Sequence, residues 1–130
     1  MKNQIICLID DDPIYQTITK KIIHKSEAAS KILSFPNGAE AIDGLTKLVQ
    51  QPEEFPDIIM LDIEMPVMDG WNFMEHFQKI KTIFPKEVSV YIVSSSIACS
   101  DKERSKSYNG ILGYFTKPVT LQNVLEIAKS

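Results

Sequence analysis

Short apolar runs recur along the chain, separated by longer stretches in which apolar residues return every three or four positions. The runs are IICLI (Ile5–Ile9), KILSF (Lys31–Phe35), IIML (Ile58–Leu61), VSVYIV (Val88–Val93) and ILGYF (Ile111–Phe115). Apart from the weaker KILSF, they are almost continuously apolar and mostly β-branched or aromatic, the pattern of strands buried on both faces. Between them, Ile14, Ile18 and Ile22, then Ala41, Leu45 and Leu48, then Phe73, Phe77, Ile80 and Phe84, and finally Leu121, Val124, Leu125 and Ala128 fall at helical spacing and predict amphipathic helices. Asp12 before Pro13 and Asn37 three residues before Glu40 mark helix starts, and Ser100 with Glu103 predicts a short polar helix from Asp101 to about Tyr108. Alternating strands and helices predict an α/β fold: a parallel sheet covered on both faces, with right-handed crossovers.

Length sets the scale of that fold. The 130 residues suit a single domain, residues 1–130, which buries about two-thirds of its unfolded surface around one core. With 14 basic and 17 acidic side chains, a net charge of -3 and no basic block, the chain lacks the electrostatic footprint of a nucleic-acid or membrane-surface binder. Cys7 and Cys99 form neither a disulfide framework nor a CxxC pattern, and the apolar stretch near the N-terminus is too short for a signal peptide. A cytoplasmic location is expected.

In sheets of this kind, ligands gather outside the carboxyl ends of the strands. The residues found there are Asp10, Asp11 and Asp12 after the first run, Asp62 after the third, Ser94, Ser95 and Ser96 after the fourth, and Lys117-Pro118 after the fifth. Carboxylates brought together in a partly buried site repel by several kcal/mol and call for a cation or protons. Hard oxygen donors without His or Cys favour Mg²⁺, whose spare coordination positions suit a phosphoryl group.

The motifs LIDDDP, MLDIEMPVMDG, IVSSS and GYFTKP, in this order and at successive strand ends, resemble the receiver domain of two-component response regulators across essentially the whole chain. The resemblance implies a flavodoxin-like, doubly wound sheet of order 2-1-3-4-5 with five helices. It implies that Asp62 is the phosphoacceptor and that Asp10, Asp11, Asp62 and the main-chain carbonyl of Glu64 hold Mg²⁺. Lys117 would then bind phosphoryl oxygens, and Ser94 and Tyr114 would be the switch pair. Lys117-Pro118 would carry a cis bond, and Glu64 and Ser96 would tune phosphoryl lifetime. The implied partners are a sensor histidine kinase or histidine phosphotransfer protein and a downstream protein target, with the chain a monomer or a phosphorylation-dependent dimer. Because the last helix finishes the chain, a stand-alone regulator that is not itself an enzyme is expected.

Alternatives remain at this level. The chain could be a phosphoryl shuttle or sink without conformational output, or a binding module with a degenerate site. A haloacid-dehalogenase-like phosphatase also uses an Asp-x-Asp pair after a first strand, which Asp10 and Asp12 would supply. The bland readings are that Asp12 starts a helix cap, that Met60, Met65, Met68 and Met74 pack the core or loops, that Trp71 is a packing residue, and that His24 and His76 lie away from the strand ends. Gly70 is expected to serve by adopting a positive φ. The polar segment before the last strand predicts a short, shifted or mobile fourth helix.

Overall fold

The computed structural model describes residues 4–95 and 99–129. Strands β1 (Gln4–Ile9), β2 (Ala29–Phe35), β3 (Ile58–Leu61), β4 (Ser89–Ser94) and β5 (Ile111–Thr116) alternate with helices α1 (Pro13–Ser26), α2 (Gly38–Lys47), α3 (Gly70–Ile80), α4 (Cys99–Ser105) and α5 (Leu121–Lys129). The strands make one parallel sheet in the order β2-β1-β3-β4-β5, the flavodoxin-like order the motifs implied.

Position in the sheet explains which runs were loud in the sequence. Every residue of β1 and β3 is buried, so neither strand has a polar side to alternate with. β2 lies at the edge and keeps polar residues at solvent, which is why KILSF reads weakly.

The sheet separates two cores. Cys7, Ile9, Leu45, Phe73 and Phe77 pack with α2 and α3 on one face, while Ile6, Leu8, Ile23, Val124 and Ile127 pack with α1 and α5 on the other. Truncating a fully buried residue such as Leu45 to alanine would cost about 2–5 kcal/mol. Burial also pushes the Cys7 thiol up, so it behaves as a packing group. Met60, Met65 and Met74 are buried in these cores and Met68 packs against one of them, in line with a structural role. Trp71 is likewise packed in the α2 and α3 core.

Several helix starts form as read. The Asp12 carboxylate accepts from the Ile14 and Tyr15 amides, with Pro13 at the first helical position, and Asn37 accepts from the Glu40 amide. The inward face of α1 is different from the one expected. Ile14 is 69% exposed and Ile18 40%, whereas Ile23 is buried. The face that turns inward near the strand ends carries Gln16, whose Nε2 donates to the carbonyls of Asp10 and Phe35 at 2.8 and 3.0 Å. A polar residue is needed there to satisfy main-chain acceptors, so an apolar count misplaces the first turns of the stripe, while Ile22 packs against the second core as read. In α5, similarly, Val124 and Ile127 are buried while Leu121 and Leu125 sit at the rim.

Helix α4 is short, as anticipated, but runs over Cys99–Ser105 and not from Asp101 to Tyr108. Ser100 therefore lies within the helix and is not its cap. Residues 106–108 continue as tight turns, their amides donating to the carbonyls three residues earlier. Among the described residues no helix is long and apolar enough to cross a membrane.

Candidate functional site

The parallel register carries several strand ends to one edge. Ile9 pairs with Leu61, so Asp10 and Asp62 follow side by side, and the Asp62 amide donates to the Ile9 carbonyl at 2.9 Å. Ser94 pairs with Thr116, so Lys117 comes next on the neighbouring strand and its amide donates to the Ser94 carbonyl at 2.9 Å. Main-chain pairing thus sets these residues before any side chain is considered.

Carboxylate oxygens of Asp10, Asp11 and Asp62 all lie within 4.8 Å of one another. Lys117 Nζ is 2.8 Å from Asp10 Oδ2 and 3.5 Å from Asp62 Oδ2. The other oxygen of Asp10 accepts from the Asp12 amide at 2.9 Å, which fixes the carboxylate plane. Asp62 is only 4% exposed and Asp11 is exposed, so the group runs from a buried floor to an open rim.

Burial of Asp62 is the largest influence on its acidity and pushes its carboxyl from 3.8 up to about 7. Lys117 works against that rise, and Asp10 and Asp11 add to it. The crowding expected from the sequence is therefore present, but desolvation outweighs it. For Lys117, burial favours the neutral amine, yet the hydrogen bond to Asp10 and the charge of Asp62 prevail and hold its pKa above the ordinary lysine value. The lysine remains a cation.

The donor set fits a hard divalent cation: three carboxylates converge, with no His or Cys among the described residues of the cluster. Asp12 is not one of them, because its side chain caps α1. The Asp10–Asp12 pairing of the phosphatase reading is thus not formed. Glu64 lies in the loop after β3, where its exposed side chain accepts from Ser95 Oγ at 3.3 Å. Ser94 is fully buried at the end of β4. Tyr114 is half-buried on β5, opposite Ile92, and packs against the α2 and α3 core. Ser96 lies outside the described residues. His24 and His76 are exposed on α1 and α3.

The loop from Asp62 to α3 corrects one expectation. Gly70 is not at positive φ; the left-handed residue there is Val67, at φ 69° and 86% exposed. Glycine is required at position 70 for space, since a Cβ would lie 2.7 Å from the Asp62 carbonyl oxygen and 2.8 Å from Ile63 Cα. Asp69 then caps α3 by accepting from the Asn72 amide at 2.8 Å. The Lys117-Pro118 bond is cis.

Sequence reading missed Tyr15, whose ring lies 4.5 Å from Lys117 Nζ, and Gln16, which ties α1 to the carbonyls of Asp10 and Phe35. The available signal was their place in the first turns of the helix after the acidic strand end.

Residues 6–129 match the response regulator receiver domain. A probable C4-dicarboxylate response regulator, DctR, of Bacillus subtilis (strain 168) is 33% identical over 121 residues, 92% of this chain and 48% of that protein. The sensor histidine kinase CheAY of Helicobacter pylori is 27% identical over 125 residues, 96% of this chain and 14% of that one. The chain spans about half the length or less of these curated relatives. A two component response regulator from Cytophaga hutchinsonii has a crystal structure similar to this one, with a TM-score of 0.90 at 26% identity over 98% of this chain and 96% of that one.

Proposed function

Because this chain belongs to the response regulator receiver domain family, a family of signalling domains, we propose that Asp62 accepts a phosphoryl group from a phosphohistidine of a histidine kinase or histidine phosphotransfer protein. The observation that carries the reading is a buried carboxylate at the end of a central strand, 3.5 Å from a lysine cation and grouped with two further acids. A rigid strand end holds a nucleophile more closely than a loop, and phosphoryl transfer depends mainly on position and charge.

A carboxylate oxygen of Asp62 attacks phosphorus, the P–N bond of the phosphohistidine breaks, and the imidazole leaves with its electron pair. Asp10, Asp11, Asp62 and the main-chain carbonyl of Glu64 would hold Mg²⁺. Bound there, Mg²⁺ supplies charge neutralisation for both nucleophile and donor. Lys117 keeps Asp62 more ionised than burial alone would allow, and its ammonium is placed to take a phosphoryl oxygen. Ser94 then donates its hydroxyl to another phosphoryl oxygen, and Tyr114 fills the space this opens. Ile14, exposed at the start of α1 beside the acids, gives an incoming donor protein an apolar foothold. The product is read by a downstream protein in the cytoplasm.

The test is to incubate the chain with Mg²⁺ and acetyl phosphate or phosphoramidate and to weigh the intact protein. One phosphoryl adduct is expected, abolished by chelator and by Asp62→Asn. An equal yield in that variant would refute Asp62 as the acceptor.

A further inference from the structure

The first turn of α3 is fastened to the backbone of Ile63, next to Asp62. The Gly70 amide donates to the Ile63 carbonyl at 2.8 Å, and the chain packs so closely there that even a Cβ would not fit. A shift of the loop after Asp62 is therefore passed to the next residue, Trp71. Its ring is 6% exposed and stacks on Tyr108 with centroids 5.8 Å apart and planes 15° apart. Arg104, near the end of α4, lies over the same indole at 4.8 Å. Tyr108 Oη donates to Glu75 Oε2 at 2.7 Å, one helical turn along α3, and Gln78 Nε2 donates to the Asn109 carbonyl at 2.8 Å.

These contacts join α3 to the segment between α4 and β5. At the far end of that segment Gly110 turns the chain at φ 99° with open space where a Cβ would stand, and its carbonyl accepts from the Val90 amide at 2.8 Å, which anchors the segment where it enters β5. At the near end α4 reaches β5, with Lys102 Nζ 5.9 Å from the centre of the Tyr114 ring. A change in the seat of Tyr114 thus requires α4 to give way, and the contacts around Trp71 resist it. Each is of modest strength: a stacked aromatic pair, a cation over a ring or an exposed hydrogen bond to a carboxylate shifts an equilibrium by about three- to tenfold. Links of that size suit an element that opens and closes.

We propose that Arg104, Trp71, Tyr108 and Glu75 form a latch between α3 and the segment entering β5, and that a phosphoryl group on Asp62 works against this latch. The proposal rests on Asp62 being the acceptor. It supplies a route outward from the site that runs through the β3–α3 loop and does not begin at Ser94, meeting the Tyr114 side of the site at α4. By reciprocity, whatever loosens the latch must strengthen binding of a phosphoryl mimic by up to the same factor.

The experiment compares the parent with Tyr108→Phe, which keeps the stack and loses the bond to Glu75, and with Arg104→Gln. Glu75→Gln serves as a second test of the same bond, and Lys106→Gln is a control, since among the described residues Lys106 pairs with Glu103 on its own turn. Amide hydrogen exchange over residues 106–111 is measured without donor. Beryllofluoride with Mg²⁺ is then titrated against the fluorescence of Trp71, the single tryptophan. The latch variants should exchange about three- to tenfold faster over 106–111 and bind beryllofluoride up to that much more tightly, with the control unchanged. Faster exchange with unaltered affinity would reduce the cluster to packing, and unaltered exchange would show that it does not hold the segment. If the parent neither binds beryllofluoride nor takes an adduct, the acceptor reading fails and the coupling falls with it, whereas failure of the latch alone leaves the Asp62 adduct intact.

Discussion

Ionising Asp62 in the metal-free chain should be costly, and the cost should appear as a pH-dependent stability. The carboxyl is pushed from 3.8 to about 7 in the folded protein, chiefly by burial. At about 1.36 kcal/mol per pH unit, that gap corresponds to an upper bound of roughly 4 kcal/mol. Because the folded value lies above the unfolded one, the folded chain binds more protons than the unfolded chain between the two values. Stability contributed by the protonated acid is therefore complete below about pH 4, falls as pH rises towards about 7, and levels off beyond it. Asp62→Asn removes the titration while keeping the shape. In chelator the variant should be ahead by at most about 1 kcal/mol at pH 4.5 and by about 2–4 kcal/mol at pH 8. Urea unfolding reads this directly: with a slope of about 1.5 kcal/mol/M, the midpoints should separate by roughly 2 M. Saturating Mg²⁺ should shrink or reverse the gap, since only the parent keeps all three carboxylates of the proposed cation site. A difference between variant and parent that stays constant from pH 4.5 to 8.5 in chelator would refute the reasoning, because Asp62 would then not titrate in that range.

Other expectations follow from single contacts. Val67→Gly should stabilise the chain by about 1 kcal/mol in urea unfolding, since a β-branched residue at φ 69° is strained and its exposed side chain gives little in return. Gly70→Ala should lower stability by about 1–3 kcal/mol and slow adduct formation on Asp62, because its Cβ would press on the Asp62 and Ile63 backbone; an unchanged melting curve would show the loop to be more yielding than its geometry. Ser94→Ala should still take the adduct, as seen by intact mass, but show smaller donor-induced changes in hydrogen exchange around Tyr108 to Phe115; equal changes in variant and parent would remove Ser94 from the coupling.

What the sequence disclosed depended on whether one physical demand governed a position. β1 and β3 are buried throughout, so their apolar runs could mean little else, and the residue after each was bound to lie at the sheet edge. Asp10 and Asp62, with Asp11 beside the first, were legible for that reason, whereas Lys117 follows the partly exposed β5 and was legible through the GYFTKP motif. Where two demands competed, the pattern misled. Gln16 turns inward because the carbonyls of Asp10 and Phe35 need a donor, while Ile14 faces solvent. Gly70 was expected at positive φ because close approach and left-handed backbone both select glycine in ordinary circumstances, and this chain places Val67 at the left-handed position instead. The contacts of Trp71 with Arg104 and Tyr108 join residues more than thirty positions apart and leave no periodic trace.

The parallel register has a consequence for which mutations this molecule can survive. Asp10 and Asp62 owe their adjacency to the pairing of Ile9 with Leu61, and Lys117 owes its place to the pairing of Ser94 with Thr116. Exchanging one side chain for another on a helix surface leaves that ladder untouched, so exposed positions outside the latch and the start of α1 can change identity without altering where the acids stand. Adding or removing one residue within a strand is another matter: side chains alternate with period two, so the insertion or deletion turns the terminal residue to the opposite face of the sheet. A library of substitutions and single-residue indels should accordingly find the central strands closed to changes of length while the helix surfaces remain open to changes of identity.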